Sequence, residues 1–269
     1  MESLSQLSIQ DGYTYESLPD DRAIRLIQLL IDPRQPHGFS LTSCTVSLRD
    51  TPLYCALSYT WKSATISGLA RHAEDDKPPA LVTVQCDGKD LVITENAFDF
   101  LCRAFRERLF IAENDDQELL PEMFRLSEYQ TTAQNGVFPQ YVWIDAISIN
   151  QRDVEERSHQ VSFMGDIFQQ SLTTIVWLGK EEPHPEAKWV IQAFMPRFLT
   201  LYRERGRHYF MSKDPACTDP AVTEYFGEEI CSRWRSSFKF FFVFLIQRRW
   251  FLRGWVVQEV ILRTFRECG

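Results

Sequence analysis

YVWIDAISINQRDVEERSHQVSFMGDIFQQSLTTIVWLG, residues 141–179, is the stretch that decides the fold. It opens on Tyr141-Val-Trp-Ile-Asp145, a short apolar run that ends in a carboxylate. β-branched and aromatic residues dominate it, which is strand composition. Over 154–171 the spacing changes to that of a helix, with Val161, Met164 and Phe168 on one face. Thr173-Thr-Ile-Val-Trp-Leu178 then returns to strand character. Strand, helix and strand in sequence make a βαβ crossover, which joins parallel strands and covers the sheet with a helix. Ligands at such sheets collect at the carboxyl ends of the strands, here Asp145 to Gln151 and Gly179.

Upstream, the dense apolar run over 24–30 reads as a strand. Tyr54-Cys-Ala-Leu-Ser-Tyr59 reads as another, and the polar Thr60-Trp61-Lys62-Ser63 as the loop at its carboxyl end. Residues 81–86 and 91–93 flank Asp87-Gly88, a dipeptide suited to a type I′ hairpin turn. Thr94 is placed to cap a helix carrying Phe98, Leu101, Phe105 and Leu109 on one face. The polar, acidic stretch 113–135 reads as an insertion or loop. Downstream, 183–219 reads as a variable connection with helical material over 189–203, and 224–246 as a helix whose Phe-rich end faces a core or a partner. The pattern predicts an α/β fold: a mainly parallel sheet with helices on both faces, plus additional helices and a hairpin. It is expected as one domain over 1–269, with a core of about 54–260, a strand-containing extension over 1–53 and a helical insertion over 183–247.

Composition narrows the function classes. A chain of 269 residues with 44% hydrophobic content can bury a substantial core. Its 29 Lys and Arg against 37 Asp and Glu leave a net charge of -8, which opposes phosphate neutralisation and disfavours nucleic acid as a partner. Seven cysteines, with no C-x-x-C pair, point to a reducing compartment and so to the cytoplasm. The first ten residues lack a signal peptide's charged-then-apolar order. The longest apolar run, 240–246, is far shorter than the roughly 20 residues a membrane span needs. No glycine-rich phosphate cradle, nucleophile elbow around Ser58 or zinc-ligand spacing is present, so hydride transfer, serine hydrolysis, a resident cofactor and a metal are all disfavoured.

Three blocks resemble a known family. Tyr54-Cys-Ala-Leu-Ser-Tyr-Thr-Trp61 is similar to the Tyr-x-Ala-Leu-Ser-Tyr-x-Trp signature of the HET (heterokaryon incompatibility) domain. Trp143-Ile-Asp-Ala-Ile-Ser-Ile-Asn-Gln151, with Glu156, Arg157, Gln160, Met164 and Trp177-Leu-Gly179, resembles its central block. Arg249-Trp-Phe-Leu-Arg-Gly-Trp-Val-Val-Gln-Glu259 resembles its closing block, whose core is Arg253, Trp255, Gln258 and Glu259. Ser148 stands where the family usually has Cys, which argues against thiol chemistry at that position. The chain ends soon after the third block, as expected of an isolated domain from a longer protein.

HET domains in turn resemble TIR domains, flavodoxin-like modules of innate immunity and cell death. That resemblance implies a self/non-self recognition domain that triggers programmed cell death, self-associates on activation and cleaves NAD. The alternative it leaves open is a non-catalytic signalling module. On this analogy Glu259, with the Trp-x-x-x-Glu spacing from Trp255, is the catalytic carboxylate, and Ser58, Tyr59, Trp61, Asp145, Arg157 and Trp255 bind substrate. A helix would set Glu259 in a stripe with Phe251, Trp255 and Leu262, where a charge needs either a purpose or a partner such as Arg253 or Arg157. Arg157 and Gln160 share a helical face with Met164 and Ile167 and so need buried partners, for which Asp145 and Glu259 are candidates. Asn150, Gln151 and Gln258 read as braces of the site.

Overall fold

The computed structural model describes residues 12–66, 78–107, 109–110, 139–205 and 220–253. The chain divides into two compact units, Met1–Ala64 with Asp76–Gly179 and Leu252–Gly269, and Thr65–Asp75 with Lys180–Phe251.

The first unit is built on a seven-stranded sheet: β1 (Ala23–Ile31), β2 (Phe39–Ser47), β3 (Tyr54–Ser58), β4 (Leu81–Cys86), β5 (Lys89–Thr94), β6 (Tyr141–Trp143) and β7 (Thr173–Val176). Their order across the sheet is β5-β4-β2-β1-β6-β3-β7. The three strands read from the deciding stretch and from Tyr54 onward are parallel neighbours, Tyr54 to Ala56 lying against Tyr141 to Trp143, and Cys55 to Ser58 against Thr173 to Val176. The sheet is mixed, because β1 runs antiparallel to both β2 and β6, and β4 to β5. Residues expected as an extension to a core starting at 54 thus supply β1, the middle strand. Its Ala23, Ile24, Leu26, Ile27 and Leu29 are all buried, because a strand covered on both faces loses the alternation of apolar and polar residues. Asp87 (φ 51°) and Gly88 (φ 74°) form the β4–β5 turn, both with the positive φ that a type I′ turn requires.

Helices cover both faces, as the sequence predicts. On one face α1 (Glu95–Arg106) buries Ala97, Phe100, Leu101 and Ala104, next to Ala146 and Ile147 of the short α2 (Asp145–Ser148). Its buried stripe is rotated from the one expected. Ala97 and Ala104 let the helix lie close to the sheet, so the bulkier Phe98 and Phe105 fall to its flank against Phe39, and the helix ends before Leu109. On the other face Met164, Ile167 and Phe168 of α4 (Met164–Gln170) pack with Trp143 and Tyr54. The helix expected over 154–171 is two, α3 (Val154–Ser162) and α4, which meet at the buried Phe163. The expected insertion at 113–135 lies outside the described residues.

The second unit is helical: α5 (Pro185–Trp189), a π-helical turn (Val190–Phe194), α6 (Met195–Arg205), α7 (Pro220–Phe226), α8 (Glu228–Ile246) and a 3₁₀ turn (Arg249–Leu252). Pro185 opens α5 at the position where a helix needs no N–H, and His184 Nδ1 accepts from the Glu186 N–H. The core of this unit is Val190, Phe194, Leu201, Phe226, Cys231 and Trp234, with the Phe194 and Trp234 rings stacked at 4.2 Å. The Phe-rich end of α8 leaves Phe238, Phe242 and Val243 exposed.

Candidate functional site at the carboxyl ends of the parallel strands

Parallel strands end on the same side of a sheet, so side chains far apart in sequence converge there. Past Ser58 the chain turns out of β3, and the Trp61 indole Nε1–H donates to Asp145 Oδ2 at 3.0 Å across 84 positions of sequence. Asp145 opens α2 directly after β6, and its Oδ1 accepts from the Ala146 N–H at 2.7 Å. Its carbonyl accepts from Gln151 Nε2 at 2.8 Å, and the Gln151 carbonyl accepts from Arg157 Nη1 at 3.1 Å. Asn150 closes the intervening loop, its Oδ1 accepting from the Arg152 N–H and its own N–H donating to Glu156 Oε1. Both side chains bond backbone groups of this loop.

Tyr59 is almost wholly buried, its hydroxyl lying near Thr94 and Asp145 without closing a full hydrogen bond to either. Burial, and then the Asp145 charge, push its pKa well above the ordinary tyrosine value, so the phenol stays protonated and can only donate to a carboxylate. The Arg253 charge acts in the opposite direction on the same hydroxyl.

One contributor was not singled out from sequence. Asn96, in the first turn of α1, donates from Nδ2 to the Thr60 carbonyl at 2.6 Å and to Thr60 Oγ1 at 3.2 Å. Its Oδ1 accepts from Trp177 Nε1 at 2.9 Å. The signal that could have found it is a buried amide on the sheet-facing side of an amphipathic helix, where only a partnered polar group is tolerated.

Not every expected residue joins this edge. Ser58 is buried and follows Tyr54 and Ala56 on the strand's other face, opposite Cys55, Leu57 and Tyr59. Ser148 is also buried, its Oγ accepting from the Ile144 N–H. It closes the α2 turn and presents no nucleophile. Gln160 faces inward with Met164 and Ile167 as expected, donating to the Ala23 carbonyl at 2.8 Å. Arg157 is half-buried and donates to the Gln151 carbonyl, while Glu259, one of its two candidate partners, lies outside the described residues. Among the described residues a buried arginine, Arg25, pairs with Glu156. Arg25 donates to both carboxylate oxygens, at 2.6 and 3.0 Å, and to the Ser148 and Glu16 carbonyls, beneath the Tyr15 ring. One turn of α3 separates Glu156 from Gln160, so the inward polar face passes through 156 and 160, and Arg157 falls to its side. Glu259, Trp255 and Gln258 lie outside the described residues. Among the described residues no group of three or more His, Cys, Asp or Glu is placed to hold a metal ion, and no helix is long and apolar enough to cross a membrane.

Comparison with known proteins falls on these elements. Residues 54–259 match the family described as Heterokaryon incompatibility protein (HET). The chain is 29% identical over 273 residues to Heterokaryon incompatibility protein 6, OR allele, of Neurospora crassa, covering 96% of this chain and 35% of that protein. It therefore spans about a third of the length of this relative. No solved structure matches.

Proposed function

Because this chain belongs to the heterokaryon incompatibility (HET) family, we propose that it is a self/non-self recognition domain that triggers cell death by hydrolysing the N-glycosidic bond of NAD. The observation that carries this reading is the Trp61–Asp145 hydrogen bond, which brings an aromatic surface and a carboxylate together at the carboxyl edge of the parallel strands. A ring that is planar and cationic, as nicotinamide is in NAD, suits both groups. Bond cleavage sends the electron pair of the C1′–N bond to nicotinamide, leaving a ribosyl cation that water captures with loss of a proton. A carboxylate beside C1′ stabilises that charge, and the resemblance to TIR domains assigns this role to Glu259. Tyr59, Arg157, Trp255 and Arg253 complete the proposed site, and the cytoplasm is where the dinucleotide pool lies.

The test is incubation of concentrated protein with NAD and detection of free nicotinamide. Wild type is expected to release it. Glu259→Gln is expected to lose about two to three orders of magnitude in rate, with an unchanged thermal midpoint. No nicotinamide from wild type at any protein concentration, or full activity in the variant, overturns the reading.

A second reading, a self-associating signalling module without catalysis, is favoured by the exposed Phe238, Phe242 and Val243 on α8. Another copy of the domain is the proposed occupant of that face. Light scattering across a concentration series is expected to show assembly, and the double change Phe238→Ser, Phe242→Ser to abolish it. A wild-type monomer at all concentrations removes this reading.

A further inference from the structure

The amide of Asn96 is used in full, in a place where a helix gains nothing from it. In the first turn of α1 an alanine would be the better helix former, and the residue one turn along on its buried side is Phe100. Burying an amide beside that ring costs free energy unless every donor and acceptor is met. Here they are met from outside the helix. One partner, Thr60, lies 36 positions away in the loop after β3, and the other, Trp177, lies 81 positions away just past β7.

The bond to Thr60 has a consequence one residue further on. Thr60 Oγ1 also donates to the Lys62 carbonyl at 3.2 Å, so Asn96 holds Thr60 and Thr60 in turn closes a short turn onto Lys62. Trp61 sits at the middle of that turn. Its indole is only partly buried, so water competes for the N–H, and its bond to Asp145 persists only if the turn already aims it.

We infer that Asn96 is a positioning residue of the site: by holding the Thr60 turn against α1, it aims the Trp61 indole at Asp145. Its effect on the indole is independent of any ligand. Its effect on binding rests on the NAD reading above.

The test records indole N–H resonances of the ligand-free protein by ¹H–¹⁵N NMR, for wild type, Asn96→Ala, Asn96→Asp, Trp177→Phe and Leu101→Ala. Asn96→Ala is expected to shift or broaden both the Trp177 and the Trp61 signals. Asn96→Asp keeps an acceptor for Trp177 but removes the donor to Thr60. It is expected to leave Trp177 in place and move Trp61, and it serves alone if the alanine variant does not fold. Trp177→Phe, which keeps the grip on Thr60, and Leu101→Ala, which lowers the thermal midpoint through a lost core side chain, are both expected to leave Trp61 unmoved. In a parallel titration with NAD, both Asn96 variants are expected to bind about tenfold more weakly than wild type. A Trp61 signal unmoved in the Asn96 variants, or moved as far by Leu101→Ala, overturns the inference. A wild type that does not bind NAD overturns the functional reading alone, and the indole signals still decide the positioning role.

Discussion

Asp87 and Asp145 both stand at the end of a strand of the same sheet, and their surroundings are opposite in kind. Asp87, at the β4–β5 turn, accepts from Thr42 Oγ1 and Ser43 Oγ at 2.7 Å each and from the Ser43 N–H, all on the neighbouring β2. Asp145, at the end of β6, is reached by an indole from the loop after β3, and its carbonyl by the side chain of Gln151. Where a tight turn joins two strands, the strand lying beside them in the sheet satisfies the end. Where parallel strands end, each chain leaves for a crossover, and the exposed edge is completed by remote side chains. The first arrangement holds a turn. The second builds a place where a ligand can meet several crossovers at once.

Four measurements break or sharpen this contrast, taken in descending order of expected effect on stability. Arg25 is buried and paired with Glu156, so Glu156→Ala, which strands Arg25 in the interior, is expected to cost about 3–5 kcal/mol in denaturant unfolding. A loss below about 1 kcal/mol would remove Arg25–Glu156 from the structural class. Thr94 caps α1 through its hydroxyl and the Ala97 N–H, so Thr94→Ala is expected to cost about 1 kcal/mol in the same assay. A neutral result would mean that the helix carrying Asn96 is held by packing alone.

The third concerns Asp87 and acid. Burial opposes its charge, but hydrogen bonds from Thr42 and Ser43 prevail and hold its pKa below the ordinary 3.8. A depressed carboxylate contributes stability that is complete above the unfolded value and is lost as pH falls through the folded one. Thermal midpoints of wild type are therefore expected to fall more steeply than those of Asp87→Asn below about pH 4. Solvent screening at this exposed turn keeps the difference under about 1 kcal/mol. Parallel curves would show that the turn does not depend on the charge.

The smallest effect on stability is expected at Asp145. Asp145→Asn keeps an oxygen for the Trp61 indole and should change the unfolding free energy by no more than a few tenths of a kcal/mol, within the range of ordinary surface changes. On the proposed function it should nonetheless weaken NAD turnover by tenfold or more, which a nicotinamide-release assay reads. A large stability loss with unchanged turnover would place Asp145 with Glu156 as a residue of the fold.

Much of this was legible beforehand because it is written in local pattern. Tyr54 to Ser58, Tyr141 to Trp143 and Thr173 to Val176 carry strand composition, Asp87-Gly88 admits one kind of turn, and Thr94 is a good cap. Trp61 and Asp145 were both singled out and are joined. The Arg25–Glu156 pair went unnoticed, because its partners lie 131 positions apart and helical periodicity cannot resolve which of the adjacent Glu156 and Arg157 turns inward. Asn96 went unnoticed because, within its helix, it is one polar residue beside an apolar stripe, and its partners lie on other crossovers.

By itself, then, the sequence determined the three parallel strands, the β4–β5 turn, the cap of α1, the α/β class and, through three motif blocks, the HET family, since each depends on residues close together along the chain. Only the tertiary structure decided that β1 is the middle strand and that the sheet is mixed. It also decided which arginine is buried with Glu156, and that Asn96, Thr60, Trp61 and Asp145 form one connected edge. Strand order and hydrogen-bond partners are set by which surfaces remain to be covered once the chain has folded. That competition is global, and no window of local sequence contains it.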